Sequence, residues 1–78
     1  MNIKYSHQAA KFLDKQNDKV FNRIVTAINK LPKGDIRKMK GQNDLYRLRI
    51  GGIRILFKIK DRDISIDKID NRGQVYKD

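Results

Sequence analysis

Residues 44–59 read DLYRLRIGGIRILFKI, an alternation of apolar and basic residues that turns back on itself at Gly51 and Gly52. Alternation at period two marks a half-buried strand, and a Gly-Gly pair between two such runs signals a hairpin because glycine accepts positive φ. With Gly51 and Gly52 as the loop, Ile50 pairs with Ile53, Arg49 with Arg54, Leu48 with Ile55, Arg47 with Leu56 and Tyr46 with Phe57. This register puts Tyr46, Leu48, Ile50, Ile53, Ile55, Phe57 and Ile59 on one face, which the rest of the chain must cover. It puts Arg47, Arg49 and Arg54 on the other, and a slip of one residue in the turn would separate Arg49 from Arg54. Like charges directly opposite destabilise a hairpin by about 0.2 to 1 kcal/mol per pair, so the basic face calls for an anion. A solvated face in a basic protein is the plain alternative.

The cover comes from the first half of the chain. MNIKY alternates weakly, with Ile3 and Tyr5 on one side, and reads as a short strand. Ser6 can cap a helix ending near Gln16, whose apolar stripe is Ala9, Ala10, Phe12 and Leu13. Asn17 or Asp18 can cap a second, in which Val20, Phe21, Ile24, Ala27, Ile28 and Leu31 recur at three and four residues, with Lys19, Arg23 and Lys30 off the stripe and Pro32 and Gly34 as the stop. Residues 33–43, KGDIRKMKGQN, read as a polar, irregular loop carrying Lys33, Arg37, Lys38 and Lys40. After the hairpin and a turn at residues 61–63 comes a strand over residues 64–70, ISIDKID, and then the tail NRGQVYKD, with room for one more brief strand. The expected fold is α+β: a small antiparallel sheet of about four strands, covered on one face by two N-terminal antiparallel helices.

The 78 residues make one domain, 1–78, small enough that folding buries only roughly 60 to 65% of the unfolded chain's surface. The absence of cysteine excludes disulfides and thiolate zinc sites, and a single histidine, His7 at a helix start, argues against a histidine metal site. No metal or other cofactor is expected. No run approaches the roughly 18 apolar residues of a membrane span, and the N-terminus lacks the apolar core of a secretory signal, so the chain reads as cytoplasmic. Nineteen Lys and Arg against nine Asp and Glu give +10 at pH 7, which favours a polyanionic partner, nucleic acid first and an acidic protein second.

The order of strand, two helices, basic loop ending KMKG, YRLRIGGIRILF hairpin, DISIDKID and closing NRGQVY resembles the RelE family of bacterial toxins from type II toxin–antitoxin pairs. The resemblance covers nearly the whole chain. It implies a ribosome-dependent endonuclease that cuts messenger RNA in the ribosomal A site, and it implies a site at Arg47, Arg49, Arg54, Arg72 and Tyr76. The hairpin arginines would form a phosphate floor, because guanidinium forks match phosphate oxygens. The 2′-hydroxyl of one nucleotide would attack its own 3′-phosphate, expelling the 5′-oxygen of the next and leaving a cyclic phosphate. Arg54, supported by Arg49, would stabilise the phosphorane, Tyr76 would act as general base, and Arg72 would face the leaving group.

Arg47 and Arg49 stand where some relatives carry Lys; a guanidinium does not lose a proton, so a base role does not fall to position 47. Asn71 stands where many relatives carry His, and the sequence ends two residues after Tyr76, where some relatives have a C-terminal helix. Lys33, Arg37, Lys38 and Lys40 would contact ribosomal RNA backbone or form only a solvated loop. The implied partners are the ribosome, mRNA and an acidic antitoxin that folds onto the toxin. Two other functions fit the same fold: gyrase poisoning, as in the related ParE branch, and an inactive RNA-binding domain.

Overall fold

In the computed structural model, which describes residues 2–41 and 44–71, the hairpin lies within a five-stranded sheet. The elements are β1 (Asn2–Tyr5), α1 (His7–Asp14), α2 (Asp18–Asn29), β2 (Ile36–Lys38), β3 (Leu45–Ile50), β4 (Ile53–Lys60) and β5 (Asp63–Asn71). The strand order is β1-β5-β4-β3-β2. The β3–β4 register is the one read from the sequence, pairing Ile50 with Ile53, Arg49 with Arg54 and Tyr46 with Phe57. Gly51 takes φ +56°, a left-handed conformation that favours glycine.

Both helices start where their caps predict. Ser6 Oγ accepts from Ala9 N at 3.1 Å and Asn17 Oδ1 accepts from Val20 N at 2.9 Å, each satisfying an amide that the helix itself leaves without a partner. Ala9 and Leu13 of α1 and Ile24 and Ile28 of α2 are buried in one cluster with Leu48, Ile55, Phe57, Ile64, Ile66 and Ile69 of the sheet. The rings of Tyr46 and Phe57 stack across the hairpin with centroids 5.6 Å apart, within this covered face. The helices therefore cover the apolar face and leave the arginine face open, as expected of the α+β class.

Two features extend the sequence reading. First, the sheet is mixed rather than wholly antiparallel, because β1 runs parallel to β5, with Ile3 beside Ile64 and Tyr5 beside Ile66. Second, the segment read as an irregular loop contains β2, in which Ile36 pairs with Leu48 and Arg37 with Arg47. With three residues, two of them charged, β2 has no alternation of its own to read; pairing with β3 forms it, and its charges suit an exposed edge. Among the described residues no helix is long and apolar enough to cross a membrane.

The strand expected at residues 64–70 runs from Asp63 to Asn71 and is not regular. Leu56 pairs with Lys68 while its neighbour Phe57 pairs with Ile66, so Asp67 is an extra residue, a β-bulge. The start of α1 fastens this bulge. Ser6 N donates to Ile66 O at 2.9 Å and Ser6 Oγ to Asp67 O at 2.7 Å. Gln8 then stands in for a strand, its Nε2 donating to Ile69 O at 2.8 Å and its Oε1 accepting from Ile69 N at 2.9 Å. Thus the edge of β5 beyond the end of β1 is paired by side chains.

Candidate nucleic-acid interface

Strand pairing places the basic residues of the open face in two rows. Arg37, Arg47, Leu56 and Lys68 follow one another across β2, β3, β4 and β5, and Arg49, Arg54 and Asp70 form the adjacent row. Directly opposed residues have Cβ atoms about 4.5 to 5.5 Å apart, and alternate residues of one strand lie about 7 Å apart. Arg37, Arg47, Arg49 and Arg54 are therefore contiguous, a cluster of cationic side chains on three neighbouring strands. Arg49 is exposed, whereas Arg47 and Arg54 are half-buried and so held more firmly.

The anion that the opposed arginines call for is partly intramolecular. Arg54 Nε donates to Asp70 Oδ1 at 3.2 Å and Arg54 Nη2 to Asp70 Oδ2 at 2.8 Å, a two-pronged ion pair. Asp70 reaches this face only because of the bulge. Strict period two from Ile64 and Ile66 would send Lys68 and Asp70 into the core; the extra residue re-phases the strand so that Ile69 is buried instead. The spacing Ile64, Ile66, Ile69 was the available signal for this residue, which the sequence reading did not place in the site. Lys58, also on the open face, lies 3.6 Å from Asp67, the bulged residue.

The structure thus brings together Arg47, Arg49 and Arg54 and adds Arg37 from the set assigned to the basic loop. It does not gather the rest of that set. Lys33 is exposed in the turn after α2, Lys38 pairs with Tyr46 and so belongs to the other side of the edge strand, and Lys40 is exposed beyond β2. Arg72 and Tyr76 lie outside the described residues, as does most of the tail offered as a further strand. Among the described residues no three His, Cys, Asp or Glu side chains gather into a metal-binding group.

A two-helix α+β fold with an arginine-rich sheet face is shared with known small toxins, as comparison with known sequences and structures shows. The family described as the ParE toxin of the type II toxin–antitoxin system parDE matches residues 3–76. A protein of Methanocaldococcus jannaschii that bears the toxin name RelE1 is 37% identical over 73 residues, covering 86% of this chain and 81% of that protein. A chain of the archaeal RelE–RelB complex from Pyrococcus horikoshii superimposes with a TM-score of 0.77 at 27% identity, covering 94% of this chain and 96% of that one. A chain of the RelB–RelE antitoxin–toxin complex from Methanococcus jannaschii shares the fold, with a TM-score of 0.76 at 23% identity and 95% of each chain covered. The protein belongs to the RelE/ParE superfamily and is a RelE-type toxin of a type II toxin–antitoxin system.

Proposed function

We propose that this toxin is an RNA endonuclease that cuts mRNA in the A site of translating ribosomes. The observation that carries the reading is the contiguous set Arg37, Arg47, Arg49 and Arg54 on a sheet face that the helices leave open. Four guanidinium groups on a rigid sheet match the geometry and charge of an RNA backbone, and they concentrate positive charge where a pentacoordinate phosphate would develop extra negative charge. In this reading Arg54 and Arg49 stabilise that charge, Arg47 and Arg37 hold flanking phosphates, Tyr76 as its phenolate takes the proton of the attacking 2′-hydroxyl, and Arg72 stabilises the charge of the leaving 5′-oxygen, which takes its proton from water. Lys33, Lys38 and Lys40, away from the reacting phosphate, contact ribosomal RNA backbone.

A second reading has its own support, because the matching family is described by the ParE name. There the same face would bind an acidic surface of DNA gyrase and no bond would be cut. Mapping new mRNA 5′ ends by primer extension in a reconstituted translation reaction, beside free mRNA and a gyrase supercoiling assay, separates the two. Cuts at A-site codons on translating ribosomes support the nuclease; intact mRNA with blocked supercoiling supports the gyrase inhibitor.

The partner in either reading is an acidic antitoxin, in keeping with the toxin–antitoxin complexes among the similar structures. A groove of about 550 Å³ whose lining includes Ala27 and Ile50 together with Lys19, Arg23 and Lys30 suits an acidic amphipathic segment. Co-expression with the neighbouring small reading frame is expected to rescue growth; failure of every adjacent frame to do so would count against this partner.

A further inference from the structure

The proposed chemistry leaves the carboxylate of Asp70 without a role, although it sits in the row of the arginines. Its clasp grips Arg54 along the Nε–Nη2 edge, with contacts of 3.2 and 2.8 Å, and a two-point grip fixes the plane of a guanidinium as a single contact cannot. We propose that Asp70 is the positioning residue of Arg54, holding its guanidinium toward β5 so that an incoming phosphate meets a fixed charge; this rests on the nuclease reading.

Arg54 pairs directly with Arg49 on β3, so repulsion pushes its flexible side chain toward β5. Asp70, the next residue in that row on β5, draws it the same way and fixes it there. The carboxylate is itself well anchored. It follows Ile69, whose backbone N–H and C=O are both bonded by Gln8, in a segment also tied by Ser6 at Asp67. A line of support thus runs from the start of α1 through the bulge of β5 to Asp70 and then to Arg54. Asp70 contacts no reacting atom in this scheme; it acts through Arg54.

A carboxylate among phosphate-binding arginines also repels the substrate, so orientation is gained and affinity is lost. That opposition gives the test its signature. In Asp70→Asn, which keeps the size but loses the charge and the second acceptor, single-turnover cleavage of ribosome-bound mRNA is expected to slow on the order of 10- to 100-fold, the effect of a misplaced catalytic group. Affinity for a single-stranded RNA oligonucleotide is expected to rise roughly threefold, the effect of one charge removed at about 6 Å in water. Asp70→Glu, retaining charge and fork, is expected to keep wild-type affinity and recover part of the rate.

A fall in both rate and affinity with a lowered melting temperature would make Asp70 merely structural, and a rise in both would make it a competitor of the phosphate; either overturns the proposal. Wild-type cleavage by Asp70→Asn would overturn it while leaving the nuclease reading intact. Ribosome-bound mRNA left whole by the wild type would remove the nuclease reading and this proposal with it.

Discussion

Arg49 and Arg54 face each other across the hairpin, and the difference between them follows from what each touches. Arg54 is clasped by Asp70, whereas Arg49 is exposed and makes no ion pair among the described residues. The ion pair contributes about 1 kcal/mol at such half-exposed positions, enough to offset an opposed-charge penalty of about 0.2 to 1 kcal/mol. Arg49 is the more accessible of the two to a phosphate from solvent. On single-stranded RNA we expect Arg49→Gln to weaken binding at low salt and to reduce the slope of log affinity against log salt by about 0.7, the share of one phosphate. A slope equal to wild type in a salt titration followed by fluorescence anisotropy would mean that Arg49 touches no phosphate. The facing of these arginines was legible in the sequence because a Gly-Gly turn between two alternating runs fixes register. Asp70 was not, because one extra residue in β5 reverses its phase.

At the level of elements, the caps and apolar stripes of α1 and α2 were readable because they are local: Ser6 and Asn17 bond amides three residues ahead. The missed features are non-local. The three residues of β2 become a strand only against β3, and nothing in MNIKY announces that its partner lies some 60 residues later and runs parallel. Gln8 belongs to the same class. As a polar residue on a helix it looks like solvated surface, yet it pairs both backbone groups of Ile69. Gln8→Ala is therefore expected to destabilise the fold by about 1 to 3 kcal/mol, the range for two net hydrogen bonds, well above an ordinary surface change. Urea unfolding checks this, and a midpoint unchanged from wild type would show that the bulge does not depend on α1. Because the bulge aims Asp70, the same variant should also lose cleavage.

For the whole molecule, one thin core carries the stability of a highly charged chain. Phe57, fully buried, stacks on Tyr46 and belongs to the cluster that includes residues of both helices and the sheet. Phe57→Ala is expected to cost about 3 to 5 kcal/mol, comparable with the total stability of a domain this small, and to leave little folded protein by circular dichroism. Retention of a cooperative transition near the wild-type midpoint would show that the core extends beyond the cluster described. The net charge of +10 works against compactness as well, since its self-repulsion favours expansion, and an acidic partner would relieve it. Charge concentrated on one face and apolar burial on the other are two consequences of the same strand alternation.

Whether the arginine face cleaves ribosome-bound mRNA, as proposed, is tested most directly by comparing wild type with Arg54→Gln in a reconstituted translation reaction, mapping mRNA 5′ ends over time. We expect A-site cuts by the wild type on translating ribosomes, and a rate lower by roughly 100- to 1,000-fold for a folded Arg54→Gln, the loss typical of removing one charge-stabilising donor. Equal cutting by the two proteins, or intact mRNA in both with both shown to be folded, would contradict the proposal.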